Sequence, residues 1–290
     1  MAISTAWTND DFPLSQVMPP QVIESVTAPP LPRRHEAEAD TFTRHEGIPG
    51  HDQEALAKAR ILLVGGGGLN SWTAVALARS GARSLTIVDH DLAERTNTPR
   101  QLYFADDLGQ PKAFRLARNL MGHAVAGAEL TGIALRFQHA VKEFSLSTDL
   151  LVVGVDNNAC RLFAVREARA RRIPAVFTML SRDGMRCQCF LQGPSPEDPC
   201  LWCALPNLDP DKAAPCAAAV VSSCFLAAAF AVFFSHRALM GWPEGSEPFN
   251  WREADLLGAA PDQIGRVNKR PNCAVCGKTV TPFSLSGGEF

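Results

Sequence analysis

A strand, a glycine turn, a helix, a second strand and an acidic tip follow one another between residues 57 and 101, and few folds admit that order. Ile61-Leu62-Leu63-Val64 is short, wholly apolar and partly β-branched, the pattern of a parallel strand buried on both faces. Gly65-Gly66-Gly67-Gly68 comes next, then Leu69-Asn70-Ser71 and an amphipathic run over 72–80 that Gly81 closes. Leu85-Thr86-Ile87-Val88 is the second strand, with Asp89-His90-Asp91 at its carboxyl end. Glycines let a backbone approach phosphates, and the positive end of a helix favours them. The unit is therefore a nucleotide-binding β-α-β, with Asp89 placed to accept hydrogen bonds from ribose hydroxyls.

Dehydrogenases and flavoproteins share such a turn, so the turn alone decides little. Asn97-Thr98-Pro99-Arg100-Gln101 and Asp107-Leu108-Gly109-Gln110-Pro111-Lys112 narrow the reading. A dinucleotide site has no use for an Asn, an Arg and a Lys gathered beyond its second strand. A site that must neutralise a triphosphate does, since charge-assisted bonds to phosphate need Arg and Lys within reach.

Further along, a helix is expected over 113–121, strands over 130–137 and 149–154, a basic helix over 160–172, and strands over 173–178 and 186–192. Asp156-Asn157 follows the Leu150-Leu151-Val152-Val153 strand, which puts Asp156 in the same crevice as Asp89 or makes the pair a helix cap. Residues 241–272 read as one or two strands with loops.

Nine cysteines include two CxxC pairs, Cys200 with Cys203 and Cys273 with Cys276. Each pair has knuckle spacing, and four thiolates make a closed, structural zinc site that ties the C-terminal region back to the middle of the chain. No export signal is visible, which favours metal ligands and reactive thiols over disulfides and gives a cytoplasmic expectation. A net charge of -2 gives no electrostatic case for nucleic acid or an anionic membrane surface. The charge-free run over 213–234 is long enough to raise a membrane span, but it is alanine-rich and broken by Pro215, Ser222 and Ser223. It reads instead as a core or dimer-interface helix.

The length of 290 residues suits one large α/β domain or two small ones. Residues 1–40 hold six prolines from Pro13 to Pro32 and no apolar periodicity, so they read as a disordered arm or an extended docking segment. Residues 41–280 form the folded domain, and 281–290 a flexible tail.

Together these residues resemble the ThiF/MoeB/ubiquitin-activating superfamily over roughly 41–278. Its glycine turn, G-x-G-G-x-G, corresponds to Gly65, Gly67 and Gly68, with Asn70 in place of the last glycine. Its D-x-D…N-x-x-R-Q signature corresponds to Asp89, Asp91, Asn97, Arg100 and Gln101. Its lysine corresponds to Lys112, its Asp-Asn to Asp156 and Asn157, and the arginine beyond to Arg161, with both knuckles in order. The fold implied is a Rossmann-like, doubly wound, mostly parallel sheet with antiparallel C-terminal strands and a zinc clip. The activity implied is ATP-dependent adenylation of the C-terminal glycine carboxylate of a small ubiquitin-like protein. Asp89 would hold the ribose, Asn97, Arg100 and Lys112 the phosphates, and Asp156 a Mg²⁺ ion. Arg44 matches an arginine that reaches into the partner subunit's site, so a homodimer is expected.

Cys216 matches a cysteine that attacks the acyl-adenylate; Cys187, Cys189 and Cys224 are the other thiol candidates. Activation of a modifier that passes to a conjugating enzyme, docked through the N-terminal arm, is the leading expectation. The arm tilts the reading that way, and so does the lack of a rhodanese domain after the second knuckle. Activation of a sulfur carrier for thiamin, molybdopterin or tRNA thiolation is the alternative. A nucleotide-binding scaffold or an NAD-dependent Rossmann protein is the reading from another class.

Overall fold

The computed structural model describes residues 21–30, 41–211 and 218–277. Among them nine strands form one sheet. They are β1 (Ile23–Thr27), β2 (Arg60–Val64), β3 (Ser84–Val88), β4 (Glu129–Ile133) and β5 (Leu150–Val153), followed by β6 (Ala175–Leu180), β7 (Arg186–Gln192), β8 (Trp251–Asp255) and β9 (Gln263–Gly265). Their spatial order is β1-β4-β3-β2-β5-β6-β7-β8-β9. The five central strands, β4-β3-β2-β5-β6, run parallel, whereas β1 at one edge and β7, β8 and β9 at the other are antiparallel. The doubly wound α/β expectation, antiparallel C-terminal strands included, is what the chain adopts.

Alternation along β2 explains why the sheet is covered on both sides. Ile61 and Leu63 enter one apolar cluster and Leu62 and Val64 the other, all four being buried. On the first face lie α1 (Gln53–Lys58), α2 (Gly68–Arg79), α3 (Lys112–Leu120) and, among helices introduced below, the long one after the first knuckle. The second face carries α4 (Phe137–Glu143), α5 (Asn158–Arg171) and α6 (Leu201–Ala204) through Phe137, Ala164, Ala168 and Leu201. The long helix is α7 (Val221–Met240). It lays Cys224, Ala227, Phe230, Ala231 and Phe234 against α2 and the sheet, so this apolar segment is a core helix of the fold. Gly81, just past α2, has φ of 102°, the left-handed conformation expected of a residue that stops a helix.

Two differences from the sequence reading matter. Residues 23–27, assigned above to a disordered arm, pair with β4 from Ile23–Ile133 to Thr27–Glu129. Ser25 Oγ and Thr131 Oγ1 are 2.9 Å apart, and Glu24 accepts an ion pair from Arg118 on α3. The folded unit thus begins before residue 41. The strand expected over 130–137 stops at Ile133, because Arg136 is already the extended cap of α4. Residues 1–20, 31–40 and 281–290, with their expectations of arm and tail, lie outside the described residues.

Candidate functional site

Sheet order reverses between β2 and β5: from β2 the chain proceeds to β3 on one side and reaches β5 on the other. Crevices at such switch points, beyond the carboxyl ends of the strands, are where open α/β sheets bind ligands. A cavity of about 730 Å³ opens there. It is lined by Gly65, Gly67 and Gly68, by Asp89, Asp91, Asn97, Arg100, Gln101 and Lys112, and by Asp156, Asn157 and Arg161. All twelve nucleotide-site residues named from the resemblance therefore meet in one cleft.

The glycine turn is shaped for close backbone approach. Gly65 has φ of 91°, and a Cβ there would stand 2.9 Å from Val155 Cγ1. Gly67, extended, caps α2, and nothing lies within 4 Å of the Cβ it lacks. A Cβ on Gly68 would come within 2.8 Å of Cys224 Sγ, so α7 seals the turn from behind. The helix starts normally despite Asn70, with Ser71 N–H donating to Gly67 O at 2.9 Å.

Asp89 is held by two backbone donors, Gly66 N–H to Oδ2 at 2.6 Å and Asp91 N–H to Oδ1 at 2.8 Å. Burial raises its carboxyl above the ordinary carboxylate range and the Asp91 charge adds to the rise, against Lys112 and the two N–H groups. Lys112 Nζ donates to Asp91 Oδ2 at 2.9 Å. Burial opposes both charges of that pair, but the attraction wins: Asp91 is held below its usual range and Lys112 above its own. Lys112 is thus a buried, fully charged cation at the cleft wall.

Asn97 is buried and accepts Glu94 N–H at 2.9 Å through Oδ1, closing a capping box that fixes the turn before Arg100. Gln101 is buried with Oε1 lacking a hydrogen-bond partner. Asn157 Oδ1 accepts Cys160 N–H at 2.9 Å and so caps α5, the structural role weighed for it above, while Asp156 stays exposed in the cleft. Arg161 donates to Asn158 Oδ1 at 2.7 Å, and burial lowers it to about 10. Its Nε has no partner.

Other candidates fall elsewhere. Arg44 sits exposed in a 3-10 turn, Thr43–His45, and does not line the cleft of its own chain. Cys216 lies outside the described residues. Cys187 and Cys189 are buried in the sheet and burial pushes both thiols up, Cys187 to about 11. Cys224 lines the cleft, buried, its thiol raised by burial against the pull of Arg100.

Sequence reasoning missed several supports. Tyr103 Oη donates to Gly66 O at 2.8 Å and Trp72 Nε1 to Arg100 O at 3.0 Å, both backbone contacts without a sequence period. Arg136 and Arg182 add cations to the lining. Arg136 at a helix cap and Arg182 in a turn carried no motif.

On the second face of the sheet the four knuckle cysteines converge, buried, with their sulfurs all within 4.8 Å of one another. Cys200 and Cys273 Sγ are 3.6 Å apart and Cys203 and Cys276 Sγ 3.4 Å. Tetrahedral zinc with bonds of ~2.3 Å needs sulfurs about 3.8 Å apart, so the cluster can hold zinc with all four positions taken.

A model of the ThiF family matches residues 41–275. The sulfur carrier protein adenylyltransferase of Thermus thermophilus is 28% identical over 266 residues, covering 86% of this chain and 94% of that protein. The NEDD8-activating enzyme E1 catalytic subunit of Arabidopsis thaliana is 34% identical over 116 residues, 40% of this chain and 25% of that protein. The chain thus matches only a quarter of the plant relative's length. Among solved structures, E. coli MccB with MccA-N7isoASN shares the fold, with a TM-score of 0.68, 19% identity, and coverage of 84% of this chain and 76% of that one.

Proposed function

The chain belongs to the ThiF family, and from that premise we propose that it is an ATP-dependent adenylyltransferase that activates the C-terminal carboxylate of a small carrier protein. One observation carries the reading: the glycine turn, the acidic tip and the cations Arg100, Lys112 and Arg161 line one cleft at the switch point. A nucleotide site with that much positive charge is suited to polyphosphate and to the charge that develops when a phosphoryl group is attacked.

In this reading Asp89, fixed by two backbone N–H groups, accepts the ribose hydroxyls. Lys112, kept charged by Asp91, and Arg100, its carbonyl anchored by Trp72, grip the phosphates together with Asn97. Asp156, an exposed carboxylate in the cleft, is a hard oxygen donor that suits Mg²⁺ shared with phosphates. Such an ion supplies charge neutralisation on the reacting phosphoryl group. A carboxylate oxygen of the carrier forms a bond to the α-phosphorus, the bond to the bridging oxygen breaks, and pyrophosphate leaves with its electron pair. What the protein contributes is alignment and fixed charge. The four-cysteine cluster holds a structural zinc ion.

A sulfur carrier is the substrate we favour, because the Thermus thermophilus relative, matched over 94% of its length, is named for that activity. Conjugation of a ubiquitin-like modifier is the second reading, supported by the NEDD8-activating relative and by Cys216, which would take the acyl group as a thioester. The resemblance of Arg44 to the family's arginine that reaches into the partner's site extends the proposal to a homodimer, and its exposure leaves it free for that role.

ATP–pyrophosphate exchange with purified carrier proteins tests the proposal. Exchange is expected to need the carrier's terminal glycine, to fall at least a hundredfold in Asp156→Ala, and to survive in Cys216→Ala. A thiol-labile carrier adduct lost in Cys216→Ala would favour the second reading. Tight ATP binding with no exchange for any carrier would sink the adenylation reading.

A further inference from the structure

The ladder between β2 and β5 ends at the pair Val64–Val153. One more backbone bond, Gly154 N–H to Val64 O at 3.1 Å, follows before the strands part, β2 into the glycine turn and β5 into the loop at 154–156 that carries Asp156. Beyond that bond the backbone ladder offers no further donor between the two segments, and buried carbonyls need partners. Asn70, fully buried in the first turn of α2, adds a side-chain tie at this junction. Its two Nδ2 hydrogens are shared among Val64 O at 2.9 Å, Gly65 O at 3.0 Å and Val152 O at 3.1 Å, so one amide touches the end of β2, the turn and the end of β5. The amide can face only one way, since reversal would set its oxygen against three carbonyl oxygens.

The loop is fitted to that amide. A Cβ on Gly154 would come within 2.6 Å of Asn70 Oδ1, and Oδ1 itself has no hydrogen-bond partner. A buried acceptor left unpaired is unfavourable. The side chain is therefore explained by what its Nδ2 joins rather than by full satisfaction of its polar atoms. A glycine, which ends the G-x-G-G-x-G pattern, offers no such donor.

We propose that Asn70 is a positioning residue that fixes the phosphate-binding turn relative to the Asp156 loop, so that the carboxylate meets the metal-bearing phosphates of a nucleotide in register. The proposal rests on the nucleotide site read above, but not on the identity of the acyl substrate. Asn70 makes no contact with ligand in this scheme; it acts through the two segments it ties.

Calorimetric titration of wild type, Asn70→Gly and Asn70→Ser with ATP, in EDTA and in excess Mg²⁺, tests it alongside thermal unfolding. Asn70→Gly is expected to fold and to bind metal-free ATP within about twofold of wild type. Its gain in affinity on adding Mg²⁺ should shrink about tenfold, and Asp156→Ala in that background should remove little more, because the two residues serve one function. Asn70→Ser, whose hydroxyl can donate to one carbonyl, should fall between; it carries the comparison if Asn70→Gly does not fold. An unchanged Mg²⁺ gain in a folded variant, equal weakening of metal-free and metal-bound ATP, or additive losses would overturn the proposal, as would a wild type whose ATP affinity ignores Mg²⁺. Normal Mg²⁺-linked binding without exchange would count against adenylation and leave the role of Asn70 decided by the binding data.

Discussion

His236, near the end of α7, is held neutral at a pH where most histidines begin to charge. Burial does most of this, helped by the neighbouring charges of His51, Arg237 and His45, and lowers it to about 4. Its Nε2 has no hydrogen-bond partner to welcome a proton. An unfolded chain would protonate the same ring near its ordinary value of 6.5. Between those limits the unfolded state binds more protons, so stability is complete above about pH 6.5 and drains away as pH falls toward 4. The loss saturates near 3 kcal/mol, taking ~1.4 kcal/mol for each unit of the shift. Urea unfolding midpoints should therefore drop through this window in wild type and drop less in His236→Gln. The difference between the two curves isolates the histidine from carboxylates that titrate nearby. Parallel curves would mean that His236 is not held neutral in the folded protein.

At the scale of elements, β1 is where the sequence misleads. Ile23 packs toward one apolar cluster and Val26 toward the other, so each face of the strand shows a single apolar residue and no period of two emerges. Prolines on both sides then make the stretch look like linker. By contrast β2, β5 and β6 sit between two helical layers and are apolar apart from Arg60 at the start of β2 and Thr178 in β6, which is why they were legible. The cleft that gathers the candidate site residues was legible for a related reason: charged and glycine residues interrupting such strands at their carboxyl ends have no packing role to explain them. Tyr103, Trp72 and Asn70 were not, since each acts on backbone carbonyls whose positions only the fold supplies. The docking of β1 has a consequence: without it the edge of β4 presents unpaired backbone groups to solvent. Deleting residues 1–30 should lower the thermal midpoint by several degrees and promote aggregation relative to a chain that lacks only residues 1–20. Equal midpoints for these two chains would show that β1 adds nothing to the fold.

For the molecule as a whole, a zinc ion in the four-cysteine cluster would cross-link the last third of the chain. Cys200 caps α6 and Cys203 lies within it, while Cys273 and Cys276 follow β9, so the cluster joins the two ends of the segment that includes α7 and β8. α7 supplies Cys224 behind the glycine turn, and β8 extends the sheet beyond β7. The sulfurs are also part of the apolar cluster that contains Leu62, Val64 and Val153, so the clip and the cleft share one core. A cross-link that closes a loop of about 70 residues restricts the unfolded chain by ~4 kcal/mol in the loop-closure model. For a domain of this size that amounts to roughly 10 °C in thermal midpoint. The purified protein should carry one zinc ion per chain by mass spectrometry of metals. Stripping it with a strong chelator, or replacing Cys203 by Ser, should lower the midpoint by about that amount and open the segment between the knuckles to proteases first. ATP binding should weaken with it, since α7 seals the turn from behind. A chain free of zinc with an unchanged midpoint and intact protease resistance would show that packing alone holds this third of the molecule, and that the four thiols are merely neighbours.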